Sequence, residues 1–389
     1  MQQLFRYYSC FVLAFLASGL LAAGPRKAAN GGEGDVRSRA IRLGIVLPLH
    51  DRNGDGKRMV EYYRGVLMAC DSLKKEGISV DVHAWNTPEN TDLTDILASS
   101  DAATRDLFIG PLYSKQVEQL ATFTRQHGSL MVIPFSINAP QLYKQQNIFQ
   151  VYQYQAEQNE STIRRFCDLF ADSHPVIIDC GDSASTKGAF TAGLRNELEN
   201  RKREYSLTSL RSKEKDFGKA FRASQRNVVV LNSGSQVALN AVIGRLSALS
   251  LSQPSLQITM FGYPDWLPLA SRQLENFYKY DVYVPSSFYS NQLTPATERL
   301  IQLYRANFHQ EMMATYPRFA LTGFDHAYFF LKGLHKYGMA FDGAAGRFGY
   351  PPVQTPLKFV KVGEGGGYQN KAYIFVHYRP EQRIELLNY

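Results

Sequence analysis

The chain has 389 residues, which at roughly 150 residues per domain predicts two lobes and an additional segment. Hydrophobic residues make up 44% and charged residues 20%, a balance that excludes a disordered chain and one built of coiled coil. Four cysteines exclude a disulfide scaffold, and the net charge of +8 raises a nucleic-acid or membrane-surface partner that only the placement of the charges decides.

Residues 1 to 24 read as an export segment. One charge, Arg6, precedes the apolar run Cys10 to Ala23, which ends in small residues before Gly24 and Pro25, the pattern of a signal peptide. That run, about 14 residues, is shorter than the ~20 a helix needs to span a bilayer. Cys10 opens the run instead of following it, so the arrangement for lipid attachment is absent. The expectation is an exported, soluble protein that spans no membrane after cleavage. Cys70, Cys167 and Cys180 remain; buried free thiols and a Cys167–Cys180 bridge are both open, and no CxxC supports a redox or zinc role.

Residues 25 to 40 are small and polar and read as a linker. Beyond them strand and helix patterns alternate. Ile41 to Leu49 is an apolar strand, Lys57 to Glu76 has helical spacing ended by Gly77, and Ile78 to Ala84 alternates as a strand. Leu107 to Ile109, a helix near Lys115 to His127, and Leu130 to Phe135 follow. After Tyr154 the pattern restarts: helix Glu157 to Phe170, strand Val176 to Cys180, helix Ala189 to Glu199, strand Val228 to Leu231, helix Val237 to Leu249, strand Ile258 to Phe261. Such alternation predicts an α/β chain with doubly wound parallel sheets covered on both faces. Leu357 to Val362 and Ala372 to Tyr378 read as a hairpin joined through Gly363 to Gly367.

No motif assigns catalysis. Asp51 to Gly56 imitates the opening of a calcium loop, but the twelfth position is Tyr62 where a bidentate glutamate is required, so a polar turn is expected. Gly181 to Gly188 carries Lys187 where a phosphate loop would, yet Thr186 and Gly188 replace its glycine and its hydroxyl. There is no GxSxG or HExxH, and the eight histidines lack ligand spacing, so no enzyme, metal or cofactor is expected. Residues 1 to 40 hold five basic and two acidic side chains and Arg201 to Arg222 eight and three, which accounts for the whole +8. The second stretch reads as a solvated face or a patch for an acidic partner. Its few aromatics, Tyr205, Phe217 and Phe221, do not favour nucleic acid.

The stretches VEYYRGVLMACDSLKKEGISVDVHAWNT (Val60 to Thr87), DLFIGPLYSKQ (Asp106 to Gln116), MVIPFSINAPQL (Met131 to Leu142), DFGKAF (Asp216 to Phe221) and GFDHAYFFLKG (Gly323 to Gly333) resemble type I periplasmic binding proteins of the branched-chain amino-acid kind. The first is most similar to a Bacteroidetes branch often associated with LysM modules, of which none is visible here. The resemblance implies two doubly wound lobes, 41–154 with 285–345 and 155–284 with 346–389, joined by a hinge of three crossovers near 155, 284 and 346. It implies a periplasmic protein that closes on a small polar ligand in the interlobe cleft. The alternative is an envelope scaffold or regulator that binds peptidoglycan or a protein partner.

Ligands in such sheets lie at the carboxyl ends of strands, near helix N-termini. By the resemblance Ser114 and Ser136 fall on contact positions, and the family's headgroup threonine falls on Ile137, a departure that argues against an amino-acid headgroup. Asn138, Tyr152, Tyr154 and Asp182 complete the expected ligand-binding set. Ser114 also reads as a helix cap, Ser136 and Asn138 as turn residues, and Asp325 in GFDHA as a cap.

Overall fold

The computed structural model describes residues 35–136, 138–291, 294–344 and 351–389. The export segment, most of the linker, Ile137 and the crossover expected near 346 lie outside them. Strands β1 (Ile41–Leu47), β2 (Val80–Asn86), β3 (Leu107–Ile109), β4 (Leu130–Ile133) and β5 (Ile148–Gln150) run parallel in one sheet. Strands β6 (His174–Asp179), β7 (Ser206–Ser209), β8 (Asn227–Leu231), β9 (Ile258–Phe261) and β10 (Val282–Ser286) run parallel in a second. The tail adds β11 (Phe359–Lys361) and β12 (Tyr368–Asn370) to the first sheet, and β13 (Ile374–Arg379) and β14 (Arg383–Asn388) to the second. Each sheet thus has seven strands, ordered β11-β12-β5-β4-β3-β1-β2 and β14-β13-β10-β9-β8-β6-β7. The expected fold class holds, with antiparallel strands at one edge of each sheet.

Apolar runs make these strands because both faces are covered. In the first sheet Leu43, Ile45, Leu107, Ile109 and Val132 face a core shared with helices Gly54–Lys75 and Phe319–Tyr337. Val46, Phe108, Met131 and Ile133 face helix Val117–His127 on the other side. The second sheet divides likewise, Val176, Ile178, Val229 and Leu231 on one face and Ile177, Val228 and Val230 on the other.

The tail corrects two expectations. Ala372 to Tyr378 does not pair with Leu357 to Val362; the hairpin is Phe359–Lys361 with Tyr368–Asn370, and β12 lies beside β5 in the first sheet. The third crossing is therefore at residues 371–373 and not near 346. Its cause is local: the Asn370 side-chain oxygen accepts from the backbone N–H of Lys358 at 2.9 Å and of Ala372 at 3.1 Å, which ends the short strand and turns the chain outward.

Other expectations resolve in passing. Asp51 to Gly56 forms a helix start, with the Asn53 side-chain oxygen accepting from Gly56 N–H at 2.8 Å. Asp325 caps nothing; it is fully buried within helix Phe319–Tyr337, and its carboxylate accepts from the backbone N–H groups of Val353, Gln354 and Thr355 at 2.9, 2.8 and 2.7 Å. Cys70, Cys167 and Cys180 are free thiols. In the basic stretch, Arg203 donates to the carbonyls of Cys167, Phe170 and Ser173, closing the C-terminal end of helix Gln155–Leu169. Arg201, Lys219 and Arg222 pair with Asp168, Asp216 and Glu204. Half of that segment's basic side chains thus have local partners. Among the described residues no helix is long and apolar enough to cross a membrane.

Helices Gly54–Lys75 and Phe319–Tyr337 cross with their backbones in contact, which only glycine permits. A Cβ at Gly65 would lie 1.9 Å from the Ala320 carbonyl oxygen, and one at Gly323 would lie 2.0 Å from that of Tyr62. A Gly323→Ala substitution gains about 1 kcal/mol of helix propensity yet forces the helices apart. We expect a net loss of roughly 2 kcal/mol in urea unfolding, within the usual range for overpacking; a stabilised variant would contradict the close crossing.

Candidate functional site

The close crossing brings Tyr62 against His326. The Tyr62 hydroxyl lies 3.0 Å from His326 Nδ1, and both side chains are buried, Tyr62 at 0% and His326 at 1% exposure. Burial holds the imidazole pKa down at about 3, so the ring is neutral at neutral pH, and pushes the Tyr62 phenol upward. The Tyr62 hydroxyl has no other polar partner among the described residues. Donation from Tyr62 to Nδ1 uses its proton; the opposite arrangement strands a buried O–H. The assigned tautomer therefore carries its proton on Nε2. That nitrogen has no partner among the described residues.

His326 lines a cavity of about 200 Å³ at the carboxyl ends of strands from both sheets. Pro134 and Phe135 follow β4, Val151 and Tyr152 follow β5, Pro264 follows β9, and Ser287 and Phe288 follow β10. Asn370 at the end of β12 and Thr355 complete its base, and the Thr355 hydroxyl, on a residue 7% exposed, also has no partner among the described residues. Two of the crossings line this space through Val151 to Gln153 and through Ser287 and Phe288, and the third leaves from Asn370 on its edge. The first and third are tied to each other, Gln153 donating to the Ala372 carbonyl at 3.0 Å, and the second is tied to the segment before β11, where the Gln354 carbonyl accepts from Tyr289 N–H at 2.8 Å.

A second cavity of about 470 Å³ adjoins the first and shares Gln155, Gln158, Pro264 and Phe288 with it. Its wall in the second lobe holds an ion pair, Lys187 Nζ to Asp265 at 2.8 Å, with Lys187 also 5.1 Å from the centre of the Tyr263 ring. The Tyr316 hydroxyl on its rim has no partner among the described residues. Together the cavities form a cleft with an aromatic, neutral floor and one charged wall.

No family model matches the sequence, and comparison with curated proteins returns no match. Among solved structures the chain is similar to a putative branched-chain amino acid ABC transporter from Rhodospirillum rubrum, at 14% identity and a TM-score of 0.58, over 90% of this chain and 100% of that one. The fold is that of the type I periplasmic binding proteins. Similarity extends to an ABC transporter substrate-binding protein from Desulfitobacterium hafniense in complex with Leu, at 14% identity, TM-score 0.44, and 90% and 100% coverage. A solute-binding protein from R. palustris in complex with benzoate matches at 14% identity, TM-score 0.44, and 90% and 96% coverage.

Within this type I fold the six residues expected at the ligand are dispersed. Of the six, Tyr152 lines the first of the two cavities above, half-exposed, its phenol pKa raised by burial. The Ser114 and Ser136 hydroxyls come together, but with each other, at 2.8 Å; Ser114 is exposed, Ser136 is buried, and neither lines the cleft. Ser114 is not a cap, because Tyr113 occupies that position and makes no side-chain bond. Asn138 is exposed on the β4 loop. Tyr154 precedes helix Gln155–Leu169, and its phenol pKa is raised by desolvation and then by Tyr143 and Glu157. Asp182 accepts from the Ser233 hydroxyl at 2.6 Å and from Ala184 N–H at 3.2 Å, so it closes a loop.

Sequence reasoning missed His326, Phe135, Phe288, Thr355 and the Lys187–Asp265 pair. Lys187 carried a signal, as the basic residue of a polar loop after a strand. His326 carried none on its own: a histidine in the run GFDHAYFFLKG is indistinguishable from core.

The depressed His326 pKa has a direct consequence for stability. The unfolded chain takes up this proton near pH 6.5 and the folded chain only near pH 3, so stability is unaffected above pH 6.5 and falls as pH drops through that window. From pH 7 to pH 5 the wild type should lose about 2 kcal/mol more than His326→Gln in urea unfolding, from a limiting slope of ~1.4 kcal/mol per pH unit. Equal losses in the two proteins would contradict a buried, neutral His326.

Proposed function

We propose that this chain is an exported, periplasmic solute-binding protein that takes a small ligand between its lobes, closes on it by hinge motion, and performs no chemistry on it. One observation carries the reading: a buried imidazole whose Nε2 has no partner among the described residues belongs to the lining of a cleft between the two sheets. An orphaned buried donor costs free energy unless something in the cleft satisfies it. A ligand there touches both lobes only when they close, so binding shifts the population toward the closed form. The signal-like leader supports export. The Rhodospirillum rubrum protein, described as a branched-chain amino acid transporter, supports a solute-binding role. The likeness to a Bacteroidetes branch rests on Val60 to Thr87 alone.

A second reading, an envelope scaffold that holds peptidoglycan or a protein partner on its surface, draws support from Ser114 and Ser136, whose hydroxyls engage each other and so leave one O–H of the two for a ligand.

A thermal-shift panel on the mature chain separates the two. Amino acids, short peptides, muropeptides and small aromatic amides are tested with small-angle scattering alongside. Transport binding predicts that at least one class raises Tm, by the equivalent of about 2.7 kcal/mol at one hundred times its Kd, and reduces the radius of gyration. No shift with any class, together with co-purification of an envelope protein, would replace this reading with the scaffold.

A further inference from the structure

We infer that the floor of the cleft receives an uncharged aromatic ring bearing an acceptor oxygen, with that oxygen bound by His326 Nε2–H. The inference rests on the cleft being a ligand site and adds the class of ligand it selects. Size comes first. The floor cavity is about 200 Å³, and an apolar cavity of about 150 Å³ already holds a benzene-sized guest.

Shape and surface follow. Four rings contribute to the lining: Phe135 sits 6.2 Å from Tyr152 at 59° and 6.4 Å from His326 at 43°, and Phe288 borders the cavity from the second crossing. Tilted rings at these spacings leave faces and edges for a guest ring in offset or edge-to-face contact. An aliphatic chain would fill the volume without using that geometry.

Charge decides against an amino-acid headgroup in the floor. Among the described residues no Asp, Glu, Lys or Arg lines this cavity, and its histidine is neutral. A carboxylate or ammonium placed there would be desolvated without an ionic partner. The ion pair Lys187–Asp265 belongs to the adjoining cavity.

Polarity then fixes the functional group. The Tyr62 hydroxyl occupies Nδ1, so Nε2 keeps a hydrogen without a described partner; the atom is buried on a residue that lines the cavity, and an oxygen acceptor satisfies it once the lining gives by a small displacement. The Thr355 hydroxyl, also buried and without a described partner, is a further polar group on a residue of the same lining.

The test uses four probes on the mature chain, by calorimetry or ligand-observed NMR. Benzamide has the ring and a neutral acceptor, toluene the ring alone, and L-leucine and L-glutamate the charged headgroup without a ring. Benzamide should bind at least tenfold more tightly than the other three. His326→Phe, which keeps a ring of similar size without the donor, should reduce benzamide to the level of toluene. Phe288→Ala, at the open edge of the cleft, should weaken benzamide at least fivefold while leaving the fold intact. Leucine or glutamate binding more tightly than benzamide would overturn the ligand class and leave solute binding standing, as would benzamide binding unchanged by both variants. No binding by these probes or by the wider panel would overturn both.

Discussion

Two glycines on helices far apart in sequence hold the functional part of this molecule together. Gly65 and Gly323 let helices Gly54–Lys75 and Phe319–Tyr337 approach until backbone meets backbone. The chain leaves the first lobe, builds the second, and returns with Phe319–Tyr337 to complete the first core, where Phe329, Phe330 and Leu331 are fully buried against strands of the first sheet. That return is the topological fact behind the hinge. Tyr62 reaches His326 only because the crossing is tight; a methyl group at either glycine would move the phenol away from the imidazole.

The same helix anchors the segment Val353 to Thr355 through its neighbouring residue. His326 faces the cleft, and Asp325 faces the segment Val353 to Thr355, whose three backbone N–H groups it binds. A buried carboxylate with three donors is satisfied where an isolated one would not be. Gln354 extends the tie: its side chain binds the Arg318 carbonyl at 3.0 Å and the Thr322 hydroxyl at 2.8 Å, and its own carbonyl accepts from Tyr289 at the second crossing. The crossings are therefore fixed to the first lobe by hydrogen bonds to backbone, while the second lobe is joined to it through short segments.

Much of the fold was legible because its strands are buried on both faces and so read as apolar runs. β1, β3, β4, β8 and β9 stand where Val, Ile, Leu and Phe cluster. What the sequence concealed was short or polar. β5 has three residues, β7 reads Ser-Leu-Thr-Ser, and β12 reads Tyr-Gln-Asn, none with enough alternation to register. Missing β12 made the apolar run after it look like the partner of β11, which misplaced the third crossing. The site was less legible than the fold. Tyr152, expected because it follows a strand at the first crossing, lines the first cavity, whereas the Ser114 and Ser136 hydroxyls engage each other. His326 became significant only through Tyr62, 264 residues away, and no local pattern encodes that pairing.

The account turns on a single proton. If Tyr62 donates to His326 Nδ1, the imidazole keeps a neutral N–H without a partner among the described residues, on a side chain that lines the cleft, which favours a guest with an acceptor. Nitrogen-15 NMR of the histidine side chains at pH 7 reads this directly. The account predicts a neutral His326 ring with Nε2 bearing hydrogen and Nδ1 unprotonated; a His326 protonated on Nδ1, or an imidazolium, would contradict it.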